Sequence, residues 1–280
     1  MLSDLINKMR SLGEYEPYLT ALLALLAPQT KLTSEPSLKE VMADNRKLVV
    51  AINHSSPLSW LPAASLLARE AVRVGAGSRI PRGIMDQFFF DFAPLKPVAK
   101  YISQSDEFLK FDELVEHFEN AEQADLVIYP EGSNCFFGPP DEIQAFRSPR
   151  FIEIAVRASV PILICVHTGS EIWGQPFKFP PTFSAVIPFL PTWAQKGIAK
   201  SGMVTMPTLP VPLEDFRMHC ELYRPSLKAE DLSDDKHDRR AQLHEEAEKV
   251  REIMITTLAS LQEAAREQAK LDKQAKLNSL

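Results

Sequence analysis

Apolar residues recur along this chain in two rhythms, and the alternation between them predicts the fold. Leu2, Leu5, Ile6, Met9 and Leu12 follow helical spacing, and Tyr18, Leu19, Leu22, Leu23 and Leu26 repeat it, with Gly13 between the two sets. Residues 1–30 therefore read as a helical hairpin. From Lys47 onward, apolar runs short enough for buried strands, Leu48–Ile52, Leu126–Tyr129 and Pro161–Val166, alternate with helical stretches at Trp60–Val72, Phe108–Phe118 and Phe151–Ala158. Strands apolar on both sides belong inside a sheet covered on both faces. The expected fold is α/β, with a mostly parallel central sheet and helices on both faces.

Residues 173–217 change character, with many prolines and aromatics and few charges, and read as a loop-rich segment containing one strand, Phe183–Ile187. Met218, Cys220 and Leu222 then alternate with His219 and Glu221, the pattern of an edge-like strand. After Asp231 the chain is strongly charged, and Leu243, Ala247, Val250, Met254, Leu258 and Leu261 recur at spacings of three and four, which predicts one long amphipathic helix. Three units follow: an N-terminal helical hairpin over 1–35, an α/β domain over 36–230 and a C-terminal helix over 231–280.

Composition narrows the partners. The 280 residues carry a formal charge of −6 and no long basic run, which argues against nucleic acid. Cys135, Cys165 and Cys220 lack metal-ligand spacing, so neither a zinc site nor a disulfide framework is expected, and a reducing cytoplasm is the simplest compartment. The N-terminal stretch does not read as a signal peptide. Its longest apolar run, Tyr18–Ala27, is too short to span a bilayer, which needs roughly 20 residues. The hairpin either caps the core or lies in a membrane interface.

The candidate chemistry sits at strand ends. His54 directly follows the Leu48–Ile52 run, and neutral imidazole is suited to act as a base near physiological pH. Ser56 and Pro57 predict a helix start there, serine as cap and proline in the first turn. Such a histidine projects into the mouth of the sheet, where open α/β folds bind ligands. Tyr129-Pro130-Glu131-Gly132-Ser133 occupies the equivalent place after the second run. No G-x-S-x-G elbow, dinucleotide fingerprint, Walker loop or H-E-x-x-H motif is present.

Asn53-His54, Tyr129-Pro130-Glu131-Gly132-Ser133-Asn134 and Val160-Pro161-Ile162-Leu163-Ile164 together resemble, in order and separation, the glycerolipid acyltransferase superfamily. That superfamily includes the glycerol-3-phosphate and lysophosphatidic-acid acyltransferases; its hallmarks are N-H-x-x-x-x-D, F-P-E-G-T-R and a strand that begins at a proline. The resemblance covers roughly residues 45–225. It implies an acyltransferase in which His54 withdraws the proton from an acceptor hydroxyl as that oxygen attacks an acyl thioester. Asn53, Glu131, Gly132 and Ser133 would bind the acceptor. The co-substrate would be acyl-CoA or acyl-carrier protein, with no further cofactor and no metal.

The departures from the pattern are equally informative. Ser59 stands where the superfamily has its aspartate, and a serine accepts a hydrogen bond without supplying charge to an imidazolium. In triad enzymes loss of that carboxylate slows turnover about 10⁴-fold, so Asp86 and Asp91 become the candidate substitutes. Asn134 and Ser103 replace arginines that resemble phosphate anchors, leaving Arg147 and Arg150 to meet an acceptor phosphate, or an acceptor with a neutral head. Phe88, Phe89 and Phe92, beside Phe90, form either core or an acyl groove. Phe136, Phe137, Trp173, Phe177, Phe179 and Trp193 suggest an apolar rim for a bilayer, so the expected location is the cytoplasm, peripheral to the inner face of a membrane. Two functions stay open: a lipid-directed acyltransferase, and a degenerate relative that binds lipid or acyl carrier without turnover.

Overall fold

The computed structural model describes residues 9–180 and 192–278. In chain order the elements are α1 (Leu12–Leu26), β1 (Thr30–Glu35), α2 (Leu38–Asp44), β2 (Lys47–Ile52), α3 (Trp60–Arg73), β3 (Ile80–Gly83), α4 (Gln87–Asp91), α5 (Lys96–Ser103), α6 (Phe111–Asn120), β4 (Ala124–Ile128), α7 (Arg150–Arg157), β5 (Ile162–Thr168), β6 (Gly174–Lys178), α8 (Thr192–Ser201), β7 (Met203–Pro207), β8 (Phe216–Tyr223) and α9 (Lys236–Asn278). Six strands form the central sheet in the order β1-β8-β5-β2-β4-β3. β5, β2, β4 and β3 run parallel, while β8 is antiparallel to β5 and parallel to β1. Among the described residues, no helix is long and apolar enough to cross a membrane.

The α/β fold with a mostly parallel sheet is present as expected, and alternation along the strands explains its two cores. Val49 and Ala51 of β2, with Ile162, Ile164 and Val166 of β5, face α7 and α9. Leu48, Val50 and Ile52, with Leu163 and Cys165, face α1, α2 and α3. Every side chain from Leu48 to Ile52 and throughout β5 is thus buried, which is why their sequence reads as continuous apolar runs. α9 is 43 residues long, roughly 65 Å at 1.5 Å per residue. It seals the first core with Leu243, Ala247, Val250, Met254 and Leu258, each of the larger ones contributing about 1.5–3 kcal/mol of burial.

Several local expectations change. Of the hairpin, residues 1–8 lie outside the described residues, and Gly13 sits in the first turn of α1 rather than between two helices. It is a point of close approach: a Cβ there would lie 3.2 Å from the Gly77 carbonyl, which accepts the Gly13 N–H at 2.8 Å. Thr30–Glu35 forms the sheet's outer strand beside β8. β8 is consequently interior, and its polar side chains face β1 neighbours, as where Thr33 Oγ1 meets His219 Nδ1 at 2.8 Å. Within the segment read as loop-rich, β6 and β7 form a separate two-stranded ribbon and α8 a helix. The strand anticipated at Phe183–Ile187 falls outside the described residues.

Candidate functional site

β2, β4 and β5 lie side by side and end on the same side of the sheet, bringing His54, Glu131 and His167 together. α3 begins at Trp60, three residues later than the Ser56-Pro57 signal suggested. Ser56–Ser59 instead form a turn closed by the Ser59 N–H on the Ser56 carbonyl at 3.0 Å. That turn folds Ser59 back under the histidine: His54 Nδ1 is 3.1 Å from Ser59 Oγ.

The hydroxyl's other bonds decide the tautomer. Ser59 Oγ donates its proton to the Ser56 carbonyl at 2.8 Å and accepts the Ser56 N–H at 3.3 Å. With its hydrogen committed, Oγ must accept from the imidazole, so the proton sits on Nδ1 and the Nε2 lone pair is free. Nε2 makes no hydrogen bond among the described residues. Burial pushes the ring's pKa down to about 4, opposed by the nearby Ser56 carbonyl, which keeps the imidazole neutral at pH 7.

Glu131 fixes the backbone of the same residue. Its Oε1 accepts the His54 N–H at 2.7 Å and its Oε2 accepts the Gln144 N–H at 2.6 Å, with the side chain fully buried. Burial raises its pKa to about 8 against the pull of the His54 and Gln144 N–H groups and the Arg251 charge. Arg251, from α9, donates to the carbonyls of Gln144 and Ile143 at 3.2 Å each. Glu131 therefore clamps two loops and presents no oxygen to a bound acceptor. Gly132 adopts φ +50° in the turn that carries it. The hydroxyl of Ser133, half-buried in the following 3₁₀ turn Gly132–Phe137, makes no hydrogen bond to a described residue.

Asn53 faces away from the mouth. Its side chain is buried and bonds both backbone groups of His167, accepting the N–H at 2.8 Å and donating to the carbonyl at 3.1 Å. The His167 ring returns a bond from Nε2 to the Asn53 carbonyl at 3.0 Å, and its Nδ1 meets Ser170 Oγ at 3.4 Å. Ser170 Oγ in turn contacts Ser55 Oγ at 2.8 Å. Both neighbours of His54 are thereby tied to β5. Burial lowers the His167 pKa to about 3.

Asp86 does not reach the histidine. It is exposed, caps α4 by accepting the Phe88 N–H at 3.0 Å and pairs with Arg147 at 2.7 Å. Asp91 is also exposed, and among the described residues no carboxylate forms an ion pair with His54. Arg147 lies over Gly132, its Cδ 3.2 Å from where a Cβ would stand. Arg150 is elsewhere, its guanidinium 5.2 Å from the centre of the Phe111 ring. The phenylalanine cluster divides: Phe90 is buried, Phe89 is half-buried, and Phe88 and Phe92 stack at 5.7 Å with about half of each exposed.

Sequence reasoning missed His167, Ser55, Ser170 and Arg251, together with Tyr129 as a wall of the site, its ring centre 5.0 Å from that of His54. His167 carries one legible signal, a polar residue at the end of an apolar strand run; the others depend on contacts made only in three dimensions. No protein-family model and no curated protein matches the chain. Among solved structures it is similar to the 1-acyl-sn-glycerophosphate (LPA) acyltransferase PlsC from Thermotoga maritima. The two are 14% identical with a TM-score of 0.46, over 87% of this chain and 79% of that one.

Proposed function

We propose that this protein is an acyltransferase that moves a fatty acyl group from an acyl thioester, acyl-CoA or acyl-carrier protein, to the hydroxyl of a lipid-like acceptor. The observation that carries the reading is the His54 ring, held as the Nδ1–H tautomer by a saturated Ser59 hydroxyl, with Nε2 unpartnered at the mouth of the sheet. In this reaction Nε2 takes the acceptor proton while the oxygen bonds to the thioester carbonyl carbon. The tetrahedral adduct then expels the thiolate, which recovers the proton from His54, leaving an ester and a thiol. Glu131 and the Asn53–His167 pair position the histidine, and Ser133 and Arg147 are the polar groups left to meet the acceptor head. A lipid acceptor implies work at a membrane surface, with the cytoplasmic side as the expected compartment.

A second reading has its own observation. Among the described residues no carboxylate pairs with the His54 ring, and a pKa near 4 makes that ring a weak base, as in a fold that holds lipid or acyl carrier without turnover. One experiment separates the two. Radiolabelled acyl thioesters are incubated with extracted membrane lipids and the natural protein, His54→Ala or Ser59→Asp. Labelled ester made by the natural protein and lost with His54→Ala supports the transferase. Product only from Ser59→Asp supports the disabled form.

A further inference from the structure

The ribbon β6–β7 and helix α8 sit as a lid over the residues that follow His54 and Glu131. Thr205 of β7 donates to the Gly138 carbonyl at 2.6 Å, the space beside Gly174 is closed by Ser56 and Pro140, and Trp193 packs edge-on to Phe137 at 5.8 Å. Strand register assigns the ribbon's two faces. Thr205 turns toward Gly138, and its partner Pro176 and the pair Lys178–Met203 share that side of the ribbon, whereas Phe177 with Val204 and Gln175 with Met206 lie on the other. That second side leaves Phe177 and Met206 about half exposed, and Trp193 of α8 is exposed to the same extent. The adjoining segment adds Ile172 at 59%, Leu209 at 87% and Val211 at 50%. Thr208, bonded to the Trp173 and Ile172 carbonyls, joins that segment to the ribbon.

Charge distinguishes this surface from the rest of the chain. In a protein of net charge −6, the sequence from Ile172 to Leu213 contains no Asp or Glu, and its charged residues are Lys178, Lys196 and Lys200. All three lysines are exposed, with no ion-pair partner among the described residues. Apolar side chains that include a tryptophan, with Lys196 and Lys200 on the tryptophan's own helix and Lys178 at the end of β6, match the acyl and anionic headgroup layers of a bilayer. We propose that the β6–β7–α8 face is the surface by which this protein docks on anionic membranes, setting the His54 mouth one layer above the lipid. The proposal rests on the lipid-directed reading of that mouth for its purpose, but its test needs no acyl donor.

The test is co-sedimentation with vesicles of phosphatidylcholine alone or mixed with phosphatidylglycerol. It compares the natural protein with F177S/M206S/L209S, K178E/K196E/K200E and, as a rival surface on α1, Y18S/L25S. The natural protein is expected to prefer the anionic vesicles. The lysine reversal lowers that partition by on the order of a hundredfold, at about 1 kcal/mol per basic residue near the surface, and 0.5 M salt weakens it as well. The apolar triple variant lowers it at least tenfold, and Y18S/L25S leaves it within about twofold. Should the apolar variant misfold, as read by circular dichroism, the reversal at exposed lysines carries the test alone. Undiminished binding by both ribbon variants, equal binding to neutral vesicles, or loss confined to Y18S/L25S overturns the proposal. Binding through the ribbon by a protein that makes no ester refutes the transferase and leaves the docking face standing; ester formation with binding independent of the ribbon does the reverse.

Discussion

The ends of β2 and β5 lie side by side and each delivers a histidine, yet the two regions are built for different ends. At the end of β5, His167 has a partner on both ring nitrogens and on both backbone groups, and no exposed surface. At the end of β2, His54 has a partner for its backbone N–H and for Nδ1 but, among the described residues, none for Nε2. A buried polar group that is fully satisfied contributes to stability and specificity, and has nothing left to offer a substrate. One nitrogen held and the other open is the arrangement a base needs. Saturation of the ring, more than burial or a lowered pKa, is what distinguishes the two histidines.

The largest effect expected from breaking this contrast is on activity. With His54 as the base of the proposed transferase, His54→Ala lowers acyl transfer by on the order of 10²–10⁴-fold, while urea unfolding shifts by no more than about 1 kcal/mol. His167→Ala acts through stability. It strands the Asn53 carbonyl, worth about 1–3 kcal/mol when buried without a partner, leaves Ser170 with Ser55 alone and empties a fully buried ring site, so unfolding free energy falls by about 2–5 kcal/mol. If the two variants exchanged phenotypes, the assignment of roles would be reversed.

Glu131→Gln tests the clamp that both regions depend on. The two carboxyl oxygens each accept a backbone N–H group, whereas an amide has a single oxygen and must turn its NH₂ toward one of those donors. A loss of about 1–3 kcal/mol is expected, with slower transfer, because the His54 N–H or the Gln144 loop is released. Arg251→Met, by removing the α9 contact behind Gln144, produces a weaker version of the same defect, and thermal melts of the two variants beside the natural protein measure both losses.

The two rings also predict how stability follows pH. Their folded pKa values, about 4 and about 3, lie below the usual 6.5, so each contributes stability present above pH 6.5 and lost as pH falls toward 4 and 3. Glu131 works in the other direction. Its pKa, raised to about 8, gives a contribution present below 4.5 and lost as pH rises through 8. The Tm is expected to decline on both sides of a maximum, and His54→Ala to flatten the acid limb in part. An acid limb identical in the two proteins would remove His54 from the account.

How much of this contrast could be read in advance depends on the range of each interaction. β2, β4 and β5 were legible because burial on both faces forces apolar runs. β1 alternates exposed and half-buried residues and β3 is four residues long, so neither stands out from loop. His54 and Ser59 were legible as neighbours because they are five residues apart on one turn. Asp86 was not, because its carboxylate serves the N-terminus of α4 and Arg147 instead, a local use no spacing rule excludes. His167 and Arg251 act across 114 and 107 residues of chain, through strand pairing and the docking of α9. Only the folded sheet joins them to the site.

The smallest effect expected is the most specific. Ser59→Ala takes away the acceptor that holds the proton on Nδ1 but leaves the Ser56 carbonyl nearby, so the ring loses part of its preference rather than all of it. Transfer is expected to fall about tenfold, the scale of one hydrogen bond of 0.5–1.5 kcal/mol, with stability nearly unchanged. Nitrogen-15 spectra of the His54 ring report the tautomer directly, without substrate. The natural protein should show Nδ1–H, Ser59→Ala a mixture of tautomers, and Ser59→Asp a ring whose pKa has risen as a carboxylate takes the hydroxyl's place. If Ser59→Ala keeps a pure Nδ1–H ring and full activity, the Ser56 carbonyl alone orients His54, and the residue in the place of the superfamily's aspartate has no part in the chemistry.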